Sequence, residues 1–105
     1  MGIEKRRSTL SVLFYIKRQK LLKNGEAPVC MRITVDKRKA EIMIKRSVPV
    51  ELWNQSKECS KGKDRSSQEL NHYISSVRAK VLQIHRELEV DAKMVTADAI
   101  RDRYY

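Results

Sequence analysis

Val29-Cys30-Met31-Arg32-Ile33-Thr34-Val35-Asp36-Lys37-Arg38-Lys39-Ala40-Glu41-Ile42-Met43-Ile44-Lys45 is the stretch on which the fold turns. Val29, Met31, Ile33 and Val35 alternate with Cys30, Arg32 and Thr34. That period of two belongs to a strand that is dry on one side and polar on the other. Asp36-Lys37-Arg38-Lys39 interrupts it as a tight polar connection, after which Ala40, Ile42 and Ile44 alternate with Glu41, Met43 and Lys45. Two strands are predicted, at about residues 29–35 and 40–46, joined as an antiparallel hairpin.

Working outward, Leu10-Ser11-Val12-Leu13-Phe14-Tyr15-Ile16-Lys17 places Leu10, Val12, Phe14 and Ile16 on one apolar face and predicts a strand at about 10–17. Between it and the hairpin, Lys20, Lys23, Asn24-Gly25 and Pro28 are the residues of a long loop, because Asn and Gly tolerate positive φ and Pro cannot donate to a ladder. Residues 1–9, with Glu4-Lys5-Arg6-Arg7-Ser8, lack periodicity and read as a basic flexible tail. A three-stranded meander can bury one face and leave the other wet, and the buried face needs a cover.

The cover lies downstream. Leu70, Ile74, Val77, Val81, Ile84 and Leu88 recur at spacings of three and four, one stripe of a helix predicted at about 67–90, with Ser66 or Ser67 as its cap. The stripe is too short for a sustained coiled-coil seam, and packing on the sheet is the expected use of it. In Val48-Pro49-Val50-Glu51-Leu52-Trp53 a proline before apolar residues suggests one short turn that tucks Trp53 against the core edge. Stacking of Trp53 on a base is the alternative. Thr96-Ala97-Asp98-Ala99-Ile100 has the form of a cap and first helical turn, so residues 92–105 are read as leading into another domain. The expected class is α+β: a three-stranded antiparallel β-sheet packed on one face by a long C-terminal α-helix, within one unit at residues 10–91.

At 105 residues the chain has the size of one domain, and a net charge of +10 is large for it. The excess is uneven. Residues 1–50 hold 13 Lys and Arg against 4 Asp and Glu, whereas residues 51–105 hold 10 against 9. A field of one sign over half of a small domain concentrates polyanions, which makes nucleic acid or an anionic membrane surface the leading partner class. No apolar run approaches the ~20 residues of a membrane span and no signal-peptide pattern opens the chain, so a cytoplasmic protein is expected. Cys30 sits in a strand pattern and Cys59 in a polar loop, with neither disulfide nor metal-ligand spacing. His72 and His85 lie on different faces of one helix, and no phosphate loop, GxSxG or HExxH occurs. No catalytic residue, cofactor, metal or small-molecule substrate is assigned.

If the apolar positions face the helix, the opposite side of the sheet shows Ser11, Leu13, Tyr15, Lys17, Arg32, Thr34, Glu41, Met43 and Lys45. A sheet of this width can enter the major groove of DNA, where Arg pairs with guanine and Thr touches the thymine methyl. The candidate DNA-binding residues are Tyr15, Lys17, Arg18, Arg32, Thr34, Lys37, Arg38, Lys39, Lys45 and Arg46. Arg32 is the best base reader, and the cations at strand ends hold phosphates. Tyr15 could stack, bond a phosphate or complete the packing, and Leu13 and Met43 on a wet face call for thymine methyls or a covering segment. Two other readings stand beside this one. One is a protein–protein interaction module with a basic sheet face. The other is a structured-RNA binder, although sheets that bind RNA show several stacking aromatics and this face shows one.

Gly25-Glu26-Ala27-Pro28-Val29-Cys30-Met31-Arg32-Ile33-Thr34-Val35-Asp36, followed by Val48-Pro49-Val50-Glu51-Leu52-Trp53-Asn54, resembles the arm-type DNA-binding domain that begins many mobile-element tyrosine recombinases. Ser8 to Lys17 and the helix from Glu69 to Leu88 are similar to the same family, so the resemblance spans about residues 8–91. It implies a sheet-plus-helix module that binds double-stranded arm sites, with Arg32, Thr34, Tyr15 and Lys45 on or near the sheet face offered to DNA. It also implies that residues 92–105 begin a core-binding domain, that other recombinase subunits are partners, and that catalysis in DNA integration or recombination belongs to a later domain. Tyr104 and Tyr105 are not its nucleophile. The chain departs from the family pattern at Lys37 and Lys45, where relatives often have Gly, so the second turn and the end of the third strand are expected to differ in shape.

Overall fold

The computed structural model describes residues 9–91 and 94–105. Three strands, β1 (Leu10–Ile16), β2 (Ala27–Val35) and β3 (Arg38–Val48), pair antiparallel in the order β1-β2-β3. Alternation sorts their side chains as expected: Phe14, Met31, Ile33, Val35, Ala40, Ile42 and Ile44 are buried on one side. The connection between β2 and β3 is shorter than the sequence suggests. It consists of Asp36 (φ 50°) and Lys37 (φ 72°), and Val35 already pairs with Arg38. A two-residue turn with both residues at positive φ matches the right-handed twist of the strands it joins. The Asp36 carboxylate accepts the Thr9 amide at 3.1 Å and so ties the start of β1 to this turn.

Near its other end the β2–β3 ladder is irregular. Val29 pairs with Arg46 and Cys30 with Met43, which interposes Ile44 and Lys45. Lys45 takes φ 57° there. Lys37 and Lys45 are the two positions where the family resemblance sets Gly, and both hold the left-handed backbone that Gly adopts without strain. A Lys side chain stands on that backbone at both positions.

The long helix α1 (Arg65–Val90) lays Leu70, Ile74, Val77, Val81, Ile84 and Leu88 into the core. It begins earlier than expected, with Asp64 rather than Ser66 or Ser67 at the cap position. Ser67 is instead buried, its hydroxyl 2.8 Å from that of Ser60. A 3₁₀ turn at Val50–Leu52 delivers Trp53 to the core edge, 4% exposed, where its indole N–H donates to Gln55 Oε1 at 2.9 Å.

Trp53–Asn54 (β4) and Cys59–Ser60 (β5) form a second small hairpin. Its tip closes the outer edge of β1. Glu58 Oε1 accepts the Phe14 amide at 2.7 Å, Gln55 Nε2 donates to the Phe14 carbonyl at 2.9 Å, and Arg78 reaches the Val12 carbonyl at 3.4 Å. Side chains thus occupy backbone groups that an uncovered edge would offer to another strand.

Helix α2 (Ala97–Tyr104) is capped by Thr96, whose hydroxyl accepts the Ala99 amide at 3.0 Å. The sequence pattern at residues 92–105 predicts a segment that leads into another domain. Within them, Ala97 and Ile100 are 3% and 0% exposed and belong to the same core cluster, with α2 resting against β3 and α1. The basic tail assigned to residues 1–9 falls, except for Thr9, outside the described residues.

Candidate nucleic-acid interface

With α1 on one side of the sheet, the other side is built from the alternate positions of three strands. Ser11, Thr34 and Lys39 form one cross-strand row, Leu13, Arg32 and Glu41 the next, and Tyr15, Cys30 and Met43 the third. Arg32 and Thr34 are half-buried between the inward-facing Met31, Ile33 and Val35. Lys17 follows directly, its amide bonded to the Pro28 carbonyl at 3.1 Å.

Glu41 organises the middle of this face. Its Oε1 accepts Lys17 Nζ at 2.7 Å and its Oε2 accepts the Tyr15 hydroxyl. The Arg32 guanidinium lies over the Tyr15 ring, 4.9 Å from its centre. Lys17 and Tyr15, as donors, hold the Glu41 carboxyl below the usual range against the opposing effect of desolvation. Burial, followed by the bond to Glu41, pushes the Tyr15 phenol up to about 12. The bond to Glu41 likewise raises the Lys17 ammonium. At neutral pH the cluster is therefore one carboxylate held by one ammonium and one phenol, with a guanidinium stacked beside them.

The remaining candidates divide by position. Lys39 is exposed on the free face, Lys37 is exposed in the turn, Arg18 is exposed in the loop after β1, and Lys45 is exposed at the irregularity of β3. Arg38 and Arg46 pair with Val35 and Val29, both inward-facing, which puts them on the helix side of the ladder. Arg46 stacks on Tyr73 of α1, 4.0 Å from the ring centre, and lines an open cleft with Arg65 and His72. The free face thus joins Tyr15, Lys17, Arg32, Thr34 and Lys39, and it does not include Arg38 or Arg46. The parity signal was present, since residues 38 and 46 share the even numbering of Ala40, Ile42 and Ile44.

Met43 is 43% exposed on this face, and its amide donates to the Tyr105 hydroxyl at 3.3 Å, so the C-terminal residue flanks the sheet at β3. Cys30 is fully covered, its Sγ 3.5 Å from Met43 Sδ, and burial raises its thiol. Glu41 is the residue that sequence reasoning placed on the face without giving it a role. Its position opposite Arg32 follows from counting outward from Asp36-Lys37 once the length of that turn is known. Among the described residues no three His, Cys, Asp or Glu side chains come together as a metal site needs. Among the same residues no helix is long and apolar enough to cross a membrane.

A small α+β module with a cationic, hydrogen-bonding sheet face opposite its covering helix has the form of a nucleic-acid-binding domain. The chain belongs to the arm DNA-binding domain family, whose model matches residues 14–101. That domain is a non-catalytic DNA-binding unit of integrase-type recombination. No curated protein and no solved structure matches the chain.

Proposed function

We propose that the chain is the N-terminal arm-type domain of a mobile-element tyrosine recombinase and that it binds arm sites in double-stranded DNA sequence-specifically through the free face of its sheet. The observation that carries the reading is the gathering of Tyr15, Lys17, Arg32, Thr34 and Lys39 on that face, with α1 on the other. Three strands about 5 Å apart make a slab about 10 Å across, close to the ~12 Å width of the major groove. Arg32 and Thr34 stand at its centre as base readers, while Arg18, Lys37, Lys39 and Lys45 around it meet phosphates, which position the duplex and carry no sequence information. In this reading the domain tethers its enzyme beside the recombination core and raises the local concentration of a later catalytic domain. Beyond α2 the chain leads toward a core-binding domain, neighbouring recombinase subunits share the assembly, and the protein works in the cytoplasm.

Amide chemical-shift mapping of the 105-residue chain against duplex DNA tests the interface. Tyr15, Arg32, Thr34 and Lys39 are expected to shift together. Changes confined to Leu70–Leu88 of α1, with Arg32 and Thr34 silent, would instead assign the contact to a protein-docking helix. Tighter binding to RNA duplex than to DNA at equal salt would assign the face to RNA. The reading frame beyond Tyr105 tests the parent enzyme, because it has to continue into a domain bearing the Arg and His residues and the Tyr nucleophile of a recombinase.

A further inference from the structure

An acidic side chain in the middle of a face that meets polyphosphate works against binding unless it gains something from the bases. Glu41 occupies that place and is the Cα partner of Arg32 across the β2–β3 ladder. We propose that Glu41 is a specificity-determining residue: its carboxylate accepts the exocyclic amine of a cytosine whose paired guanine is read by Arg32, so that the two side chains together specify one G·C pair. The proposal rests on the reading that the free sheet face enters the major groove.

The chemistry of the groove edge supports it. A G·C pair presents there the N7 and O6 acceptors of guanine and, beside them, the N4 amine of cytosine. A guanidinium supplies the two donors and a carboxylate the acceptor, and here they project from facing positions of adjacent strands. Each carboxylate oxygen has two lone pairs. Oε1 uses one on Lys17 and Oε2 one on Tyr15, so each oxygen keeps one for a base. These two bonds also fix the rotamer before DNA arrives, as the Tyr15 ring does for the Arg32 plane, so less side-chain freedom is lost on binding. The Glu41 side chain is 41% exposed and open to a ligand. The same carboxylate meets the O4 acceptor of a thymine with repulsion, which turns the acidic group into a means of rejecting A·T at that position.

The test removes a single donor from the DNA. Duplexes are enriched from a randomised library by the full 105-residue chain, and at each invariant G·C pair the cytosine is replaced by 2-pyrimidinone, which lacks the exocyclic amine. At one such pair the wild type is expected to weaken about ten-fold, Glu41→Ala by less than about two-fold, and Arg32→Ala to remain sensitive to the amine. Weakened pairing by the analogue affects all proteins alike and cancels in the ratio. Glu41→Gln, which keeps the shape of the side chain, replaces the alanine variant should thermal unfolding show that variant to be destabilised. Its amide can accept from the cytosine amine and can also donate to the O4 of a thymine, so it is expected to lose the preference for cytosine over thymine and to bind mixed-sequence duplex more tightly. Equal loss by wild type and Glu41→Ala at every invariant G·C pair, or a preference for cytosine over thymine that Glu41→Gln retains in full, overturns the assignment and leaves the sheet-face reading standing. A wild type that enriches no duplex removes both.

Discussion

At Lys37 the backbone asks for one residue and the sequence supplies another. Its φ of 72° lies in the left-handed region, which costs an L-residue about 1–2 kcal/mol and glycine almost nothing. Part of that gain is offset because glycine also loosens the unfolded chain. Lys37→Gly is therefore expected to stabilise the domain by about 0.5–1 kcal/mol, read as a rise of roughly 3–6 °C in Tm for a domain of this size. A fall in Tm would mean that the Lys37 side chain makes a contribution larger than its strain. Glu41 provides a second test at the same scale. Its folded pKa is depressed, so its contribution to stability is present above the unfolded value near 4.5 and is lost as pH falls through the lower folded value. Lys17→Ala removes the donor with the largest effect and is expected to move the Glu41 carboxyl up toward 4.5, followed by its side-chain carboxyl carbon shift in an acid titration. An unmoved titration would show that Tyr15 alone holds the carboxylate.

Strands and helix were legible in the sequence because burial imposes a period. Val29 to Val35 alternate with period two and Leu70 to Leu88 follow the helical period, and each pattern marks the residues that pack on the other. What stayed hidden has no period. The bond from Glu58 to the Phe14 amide links positions 44 residues apart, and the bond from Tyr105 to Met43 links positions 62 apart. Local pattern cannot report a contact between a loop tip and a distant strand edge. The free face was legible wherever a side chain's parity alone decides it, as at Arg32 and Thr34. Charge alone admits Arg38 and Arg46 to the candidate site, although their parity points to the helix side, where Arg46 stacks on Tyr73. Helix α2 was legible as a helix and its attachment was not, since Ala97 and Ile100 give too short a stripe to show which surface they cover. That attachment is measurable. Ile100 is fully buried, so Ile100→Ala is expected to destabilise the domain by about 2–5 kcal/mol. Leu82→Ala, at a position 46% exposed on α1, should stay within about 0.5 kcal/mol. Denaturant midpoints of the two variants decide it, and equal small effects would detach α2 from the folded unit.

At the scale of the molecule, the sheet separates two chemistries that the sequence had already divided between its halves. The basic half builds the strands and their turns, and the nearly neutral half builds the helix that covers them. Exposed cations stand at both ends of the sheet: Arg18, Lys20 and Lys45 at one, Lys37 and Lys39 at the other. A duplex lying along the free face would meet these five, while Lys17 stays with Glu41. Each phosphate neutralised releases condensed counterions, so the logarithm of affinity falls with the logarithm of salt with a slope of about −0.9 per contact. Five contacts give a slope of roughly −4.5 and a loss of about 500-fold in affinity between 50 and 200 mM salt. Removing Lys37 or Lys39 as alanine variants should each flatten the slope by about 0.9 and weaken all sequences alike. Arg32→Ala should leave the slope nearly unchanged and reduce the advantage of the preferred duplex over a mixed one. Fluorescence anisotropy across a salt series separates the two behaviours. Should Arg32→Ala change only the slope, and Lys37→Ala only the preference for sequence, the division between the centre of the sheet and its ends would be reversed.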